Sequence, residues 1–133
     1  PLYYGMTDGK NVSQTVDLIM EKGLCCGVFF SHFVLKSLAK CKHYDKVYKL
    51  ITNDGEHSWI NMLREGATSV FEAWGKEQKW NTSLCHPWGS APIILLIEDI
   101  LGYEFCEGKL IKHENRLPEG VTASLSIADN FLV

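Results

Sequence analysis

Two residues in the middle of the chain have side chains suited to acid–base work, and aromatic residues surround both. Glu72 stands inside Val70-Phe71-Glu72-Ala73-Trp74, a carboxylate between large apolar groups. Such a carboxylate sits either at a surface edge or in a pocket that tunes its proton affinity, and the run alone leaves both open. His86 follows fourteen residues later, in Ser83-Leu84-Cys85-His86-Pro87-Trp88. A single histidine is either a polar contact in a site or a hydrogen-bonded structural residue. Trp59, Trp74, Trp80 and Trp88 fall within thirty residues. Indole faces stack on sugar rings, and they equally fill cores. Cys85-His86 does not make a thiol nucleophile with its base. Neighbours in extended chain point to opposite faces, and catalytic pairs come from separate segments. No glycine-rich phosphate loop, H-E-x-x-H or D-x-D-x-D-G calcium loop occurs, so neither metal nor cofactor is expected.

Composition narrows the classes. The 133 residues suffice for one domain with one real core. A hydrophobic share of 46% against 22% charged is globular and excludes disorder. The net charge of -3 leaves no basic excess for phosphate contacts, which argues against a nucleic-acid binder. The longest apolar run, residues 91–97, falls far short of the ~18 residues that span a bilayer. Cys25, Cys26, Cys41, Cys85 and Cys106 are odd in number and irregular in spacing, with no C-x-x-C. They are expected to be reduced, and mostly buried as small hydrophobes. The chain opens on Pro1 with no initiator Met and no signal-type segment, and reads as a processed chain or a piece of a longer one.

The elements that must position Glu72 and His86 are mostly helical. Asn11 reads as an N-cap with Gln14 completing a capping box, followed by Val12, Val16, Ile19 and Met20 at helical spacing and a stop at Gly23. A second helix starts near Phe29, with Phe30, Phe33, Val34, Leu38 and Cys41 on one stripe. A third runs from about His43 to Ile51, with Tyr44, Val47, Tyr48 and Ile51 inward. A short fourth carries Trp59, Ile60, Met62 and Leu63 and ends at Gly66. No period wins over residues 67–74, and residues 81–89 are loop-like. Ser90 caps a last helix with Pro92 in its first turn. Its Ile93, Ile94, Leu95, Leu96, Ile97, Ile100 and Leu101 are apolar nearly all round, as in a helix buried on several sides. From Lys109 the pattern turns strand-like, and Val121, Ala123, Leu125 and Ile127 alternate with polar residues as in a half-buried strand. Successive short helices suggest helical hairpins.

Asn61-Met62-Leu63-Arg64-Glu65-Gly66-Ala67-Thr68-Ser69-Val70-Phe71-Glu72-Ala73-Trp74 resembles the "GATTxWExW" segment of the bacterial α-L-rhamnosidases, glycoside hydrolase family 78. Ser83-Leu84-Cys85-His86, then Gly89 and the apolar helix, is similar to that family's "S-[LF]-x-H…G" segment. Residues 29–38 and Trp59 fit its upstream helices in order. The resemblance implies an incomplete (α/α)6 toroid over residues 1–105 and the start of a C-terminal β-sandwich over residues 106–133. It further implies an inverting glycosidase, in which one carboxylic acid protonates the leaving oxygen and a second carboxylate activates water. Glu72 matches the family's general base. His86 matches its sugar-pocket histidine, Trp59 and Trp74 match aromatic positions lining the pocket, and Trp88 is grouped with them. The general acid belongs to a segment N-terminal to these residues. The implied partner is a rhamnoside or related carbohydrate, in a bacterial cytoplasm or periplasm. Apolar faces patterned for the rest of a toroid imply self-association when uncovered. Ala73 and Cys85 depart from the family's usual Arg and Asn, and the interval between Glu72 and His86 is shorter than in many members. The donors expected to keep Glu72 ionised are His86 and the backbone amides of the Gly89 turn. The alternative is a non-catalytic helical module that binds carbohydrate or protein.

Overall fold

The computed structural model describes residues 1–125 of the chain. After a 3-10 turn at Leu2–Tyr4 come α1 (Gly9–Lys22), α2 (Val28–Lys40), α3 (Tyr44–Ile51) and α4 (Trp59–Arg64). A 3-10 turn at Pro87–Ser90 leads into α5 (Ala91–Ile94), which continues as a π-helix over Leu95–Ile100. The antiparallel strands β1 (Tyr103–Cys106) and β2 (Lys109–Lys112) follow. The fold is thus mainly α, with five helices and a two-stranded sheet among the described residues, as expected of an incomplete (α/α)6 toroid followed by a short β segment. No described helix is long and apolar enough to cross a membrane.

The cap of α1 lies three residues before the expected Asn11. Asp8 is extended, and its carboxylate accepts the Asn11 backbone N–H at 3.1 Å and the Asn11 side-chain amide at 2.7 Å. Asn11 is a donor to the cap and not the cap itself, because an ionised Asp is the stronger acceptor at a helix start. Val16 is buried, and Val12, Ile19 and Met20 pack beside it as the spacing predicts. Gly23 ends the helix at φ 61° and donates its N–H to the Ile19 carbonyl.

α2 is the central element, packed against α3, α5 and the first 3-10 turn. Its buried face is Val28, Ser31, Leu35, Ser37, Leu38 and Ala39; of the expected stripe Leu38 is buried and Phe33, Val34 and Cys41 are half-buried, but Phe30 is 61% exposed. The helix is apolar around most of its circumference, so spacing alone did not select the arc that meets α3. The buried Ser31 hydroxyl donates to the Val28 carbonyl at 2.6 Å, so this face makes no polar demand on its neighbours. Val47, Leu50 and Ile51 of α3 complete the contact, while Tyr44 and Tyr48 are half-buried.

The last helix differs from the uniformly buried element that its sequence suggests. Leu95 and Ile100 are wholly buried, but Ile93 and Ile94 are exposed. The π winding, marked by the Leu101 N–H bonding the Leu96 carbonyl at 2.8 Å, places residues five apart on one face. It also brings Asp99 and Glu98 to Lys36 of α2, at 2.6 and 3.0 Å. Burial opposes the charge on Lys36, but the hydrogen bonds to Asp99 and Glu98 outweigh it and raise its pKa above the ordinary value.

The β segment begins earlier than expected. Tyr103 pairs with Lys112 and Cys106 with Lys109 around Glu107-Gly108, whose φ values of 50° and 79° fit a type I′ turn. The expected boundary at 105/106 therefore falls inside β1. Gly102, at φ 76°, lies where an added Cβ would meet the Glu114 carbonyl oxygen at 2.7 Å, so the returning chain requires glycine there. Residues 121–125 form no strand; alternation supplies a face but not a partner, and no described segment pairs with them. Ile127 lies outside the described residues. All five cysteines are free, but Cys25, Cys85 and Cys106 are exposed and Cys26 and Cys41 half-buried. The expectation of mostly buried thiols is corrected, because three of them fall in loops or at a strand end.

Candidate active site

Between α4 and the Pro87–Ser90 turn, residues 67–86 have no regular structure, yet two limbs of this segment lie side by side. The Glu72 N–H donates to the Ser83 carbonyl at 2.9 Å, and the His86 N–H donates to the Val70 carbonyl at 2.8 Å. These two bonds set Glu72 and His86 on adjacent limbs. Phe71 turns inward and is 2% exposed, while Glu72 beside it faces the other way and stays half-buried.

Aromatic side chains fasten this segment to the helices. Trp74 is 2% exposed, and its indole N–H donates to the Cys26 carbonyl at 2.6 Å. Its ring stacks on His57 at 6.1 Å and meets Trp59 edge-on at 4.9 Å. The half-buried Trp59 donates its indole N–H to the Gly89 carbonyl at 2.7 Å and edges a groove of about 280 Å³ with Leu63, Ala67 and Val70. Gly89 sits so close to the segment that a Cβ would lie 3.0 Å from the Phe71 carbonyl oxygen. Trp59 therefore keeps an accessible edge, whereas Trp74 offers no face to a sugar and acts on the site only through its neighbours.

Glu72 is fixed at both oxygens. Lys79 Nζ lies 2.5 Å from Oε1, and the Ser83 N–H donates to Oε2 at 3.1 Å. The hydrogen bond from Lys79 is the main reason its carboxyl pKa lies below the ordinary value, followed by the Ser83 N–H; partial burial opposes them, and the charges of Lys79 and His86 add to the lowering. Because the folded value is the lower one, the stability from these contacts is complete above the ordinary carboxylate range. It is lost as pH falls through the lowered value. The expected donors are corrected here: Lys79 and Ser83 hold the carboxylate, the Gly89 amide does not, and His86 acts through its charge. Lys79 escaped sequence reasoning because no spacing rule relates residues across an irregular loop.

His86 packs its ring on Trp88, with centroids 4.0 Å apart, and Trp88 continues to Phe29 at 5.4 Å. Trp88 is 44% exposed and lines a groove of about 260 Å³ with Phe29, His32, Phe33 and Ile94. Trp80 is almost fully exposed. Glu65, a carboxylate bonded to this segment, accepts from the Asn61 amide at 3.0 Å and the Lys76 N–H at 2.7 Å. Among the described residues, no three His, Cys, Asp or Glu side chains cluster as a metal site would need.

The arrangement is an ionised carboxylate beside a histidine–indole wall. Residues 4–100 match the family described as the bacterial alpha-L-rhamnosidase 6 hairpin glycosidase domain. The chain belongs to this family. Glu72, His86 and all four tryptophans lie within the matched span of the six-hairpin glycosidase domain, and the β1–β2 hairpin lies beyond it. No match was found among curated proteins or among solved structures.

Proposed function

We propose that this chain supplies the water-activating part of an inverting glycosidase site that cleaves terminal α-L-rhamnosyl or related glycosidic bonds. The observation that carries this reading is the Glu72 carboxylate, kept anionic by Lys79 and the Ser83 N–H beside the His86–Trp88 wall. In this reading Glu72 takes a proton from water, whose oxygen attacks the anomeric carbon on the face opposite the leaving group. A second carboxylic acid, roughly 6.5–9.5 Å away, protonates the departing oxygen. In this reading that acid comes from another segment of the six-hairpin domain, so turnover belongs to the assembled site and not to Glu72 alone. Trp59 and Trp88 supply apolar surface for the sugar, His86 a polar contact, and Trp74 the support beneath Trp59. The alternative of a non-catalytic module gains nothing from the family match.

His86→Ala tests the pocket in an active protein that contains this sequence. Losing one polar contact is expected to raise KM for an aryl rhamnoside by about tenfold, with a fall in kcat as well. Unchanged KM and kcat with a lowered melting temperature would make His86 purely structural.

The exposed apolar side chains Phe29, Phe30, Trp88, Ile93 and Ile94 support a further proposal, that the isolated chain self-associates. Light scattering is expected to show a mass rising with concentration. A constant monomer mass over a wide range overturns it.

A further inference from the structure

Lys79 is delivered to Glu72 by a braced loop. The Trp74 N–H donates to Gln78 Oε1 at 2.9 Å, and the Thr82 hydroxyl donates to the Lys79 carbonyl at 2.9 Å. From this loop the Lys79 ammonium reaches Oε1 of Glu72, and from its end the Ser83 N–H reaches Oε2. Two donors four residues apart thus fix the plane of one carboxylate. Each oxygen retains a further lone pair, so a water molecule can still bond to it. The Lys79 side chain is 38% exposed, against 17% for Glu72, so the pair is partly solvated from the lysine's side chain.

We propose that Lys79 is a positioning residue for Glu72, orienting the carboxylate and keeping it free of a proton when water must be activated. This rests on the reading of Glu72 as the base. An ammonium group in contact weakens a carboxylate as a proton acceptor, but it also keeps the carboxylate anionic to lower pH. The proton taken from water goes to Glu72; Lys79 keeps its own proton throughout and acts by charge and geometry. The other titratable group whose charge is felt at Glu72 is His86, from the opposite limb. It is retained in every variant below, so its field is common to all.

The test compares Lys79→Met with Lys79→Arg. In this chain, the Glu72 carboxyl carbon is titrated by NMR. In an active protein that contains this sequence, the pH profile of kcat/KM is measured on an aryl rhamnoside. Lys79→Met is expected to move the carboxyl midpoint upward and to carry the acidic limb of the profile up with it, while Lys79→Arg leaves both near the parent values. An unmoved carboxyl midpoint in Lys79→Met overturns the role of Lys79, whatever Glu72 does. A midpoint that moves while the acidic limb stays overturns Glu72 as the base, and with it any catalytic consequence of Lys79. Should Lys79→Met fail to fold, Lys79→Gln, with an uncharged polar head, carries the same expectations.

Discussion

Replacing Glu72 by glutamine in an active protein that contains this sequence is expected to lower kcat by ~10²–10⁴-fold with KM nearly unchanged. Glutamine has almost the same volume and still offers an oxygen to the Ser83 N–H, so the two limbs of the segment stay paired. What disappears is the capacity to take a proton from water. The ion pair with Lys79 disappears too, but Lys79 is partly solvated, and a pair of that kind contributes little to stability. The melting temperature should therefore stay close to the parent's. Measuring kcat, KM and melting temperature on one preparation separates the readings. If the variant keeps most of its kcat, Glu72 is not the base. Glu65, likewise held at both oxygens, by Asn61 and the Lys76 N–H, would be the next carboxylate to test.

Trp74→Ala should be the most damaging single change to the fold, at ~3–5 kcal/mol, because it removes a wholly buried indole and leaves a cavity beside Trp59 and His57. The Cys26 carbonyl also loses its donor. Stabilities of small domains run to about 5–15 kcal/mol, so this loss approaches the whole margin. Trp74→Phe isolates the hydrogen bond, since most of the ring survives; about 0.5–1.5 kcal/mol is expected from the missing N–H, with some further loss of packing. Urea denaturation of both variants gives the comparison. A Trp74→Ala variant with the parent's midpoint would mean that the indole is not a structural support.

The two tryptophans illustrate what could be read in advance. Residue type announced that Trp74 and Trp59 were important, and the resemblance placed them near Glu72. Neither says which ring is covered, because that depends on the Cys26 carbonyl, 48 residues away in sequence. Helices were legible where an apolar stripe was narrow, as in α1, and ambiguous where it was wide. α2 is apolar on most sides, and its inward arc was settled by α3 and α5, which periodicity does not encode. The β hairpin was half legible: Lys109 onward looked extended, but no pattern marked the partner strand Tyr103–Cys106, which follows the helix directly. Lys79 was invisible for a related reason, since its approach to Glu72 is made by a loop of no fixed period.

Residues 67–86 carry the candidate base and histidine without a helix or a sheet ladder of their own. Their conformational entropy is opposed chiefly by side chains: the Trp74 indole N–H, a lysine and a glutamate clamp. Two of the side chains that hold the segment, Phe71 and Trp74, belong to the core itself, so it cannot open without uncovering that core. The order of Glu72 and His86 is therefore tied to the stability of the whole fold, and a loss of core packing is a loss of the site.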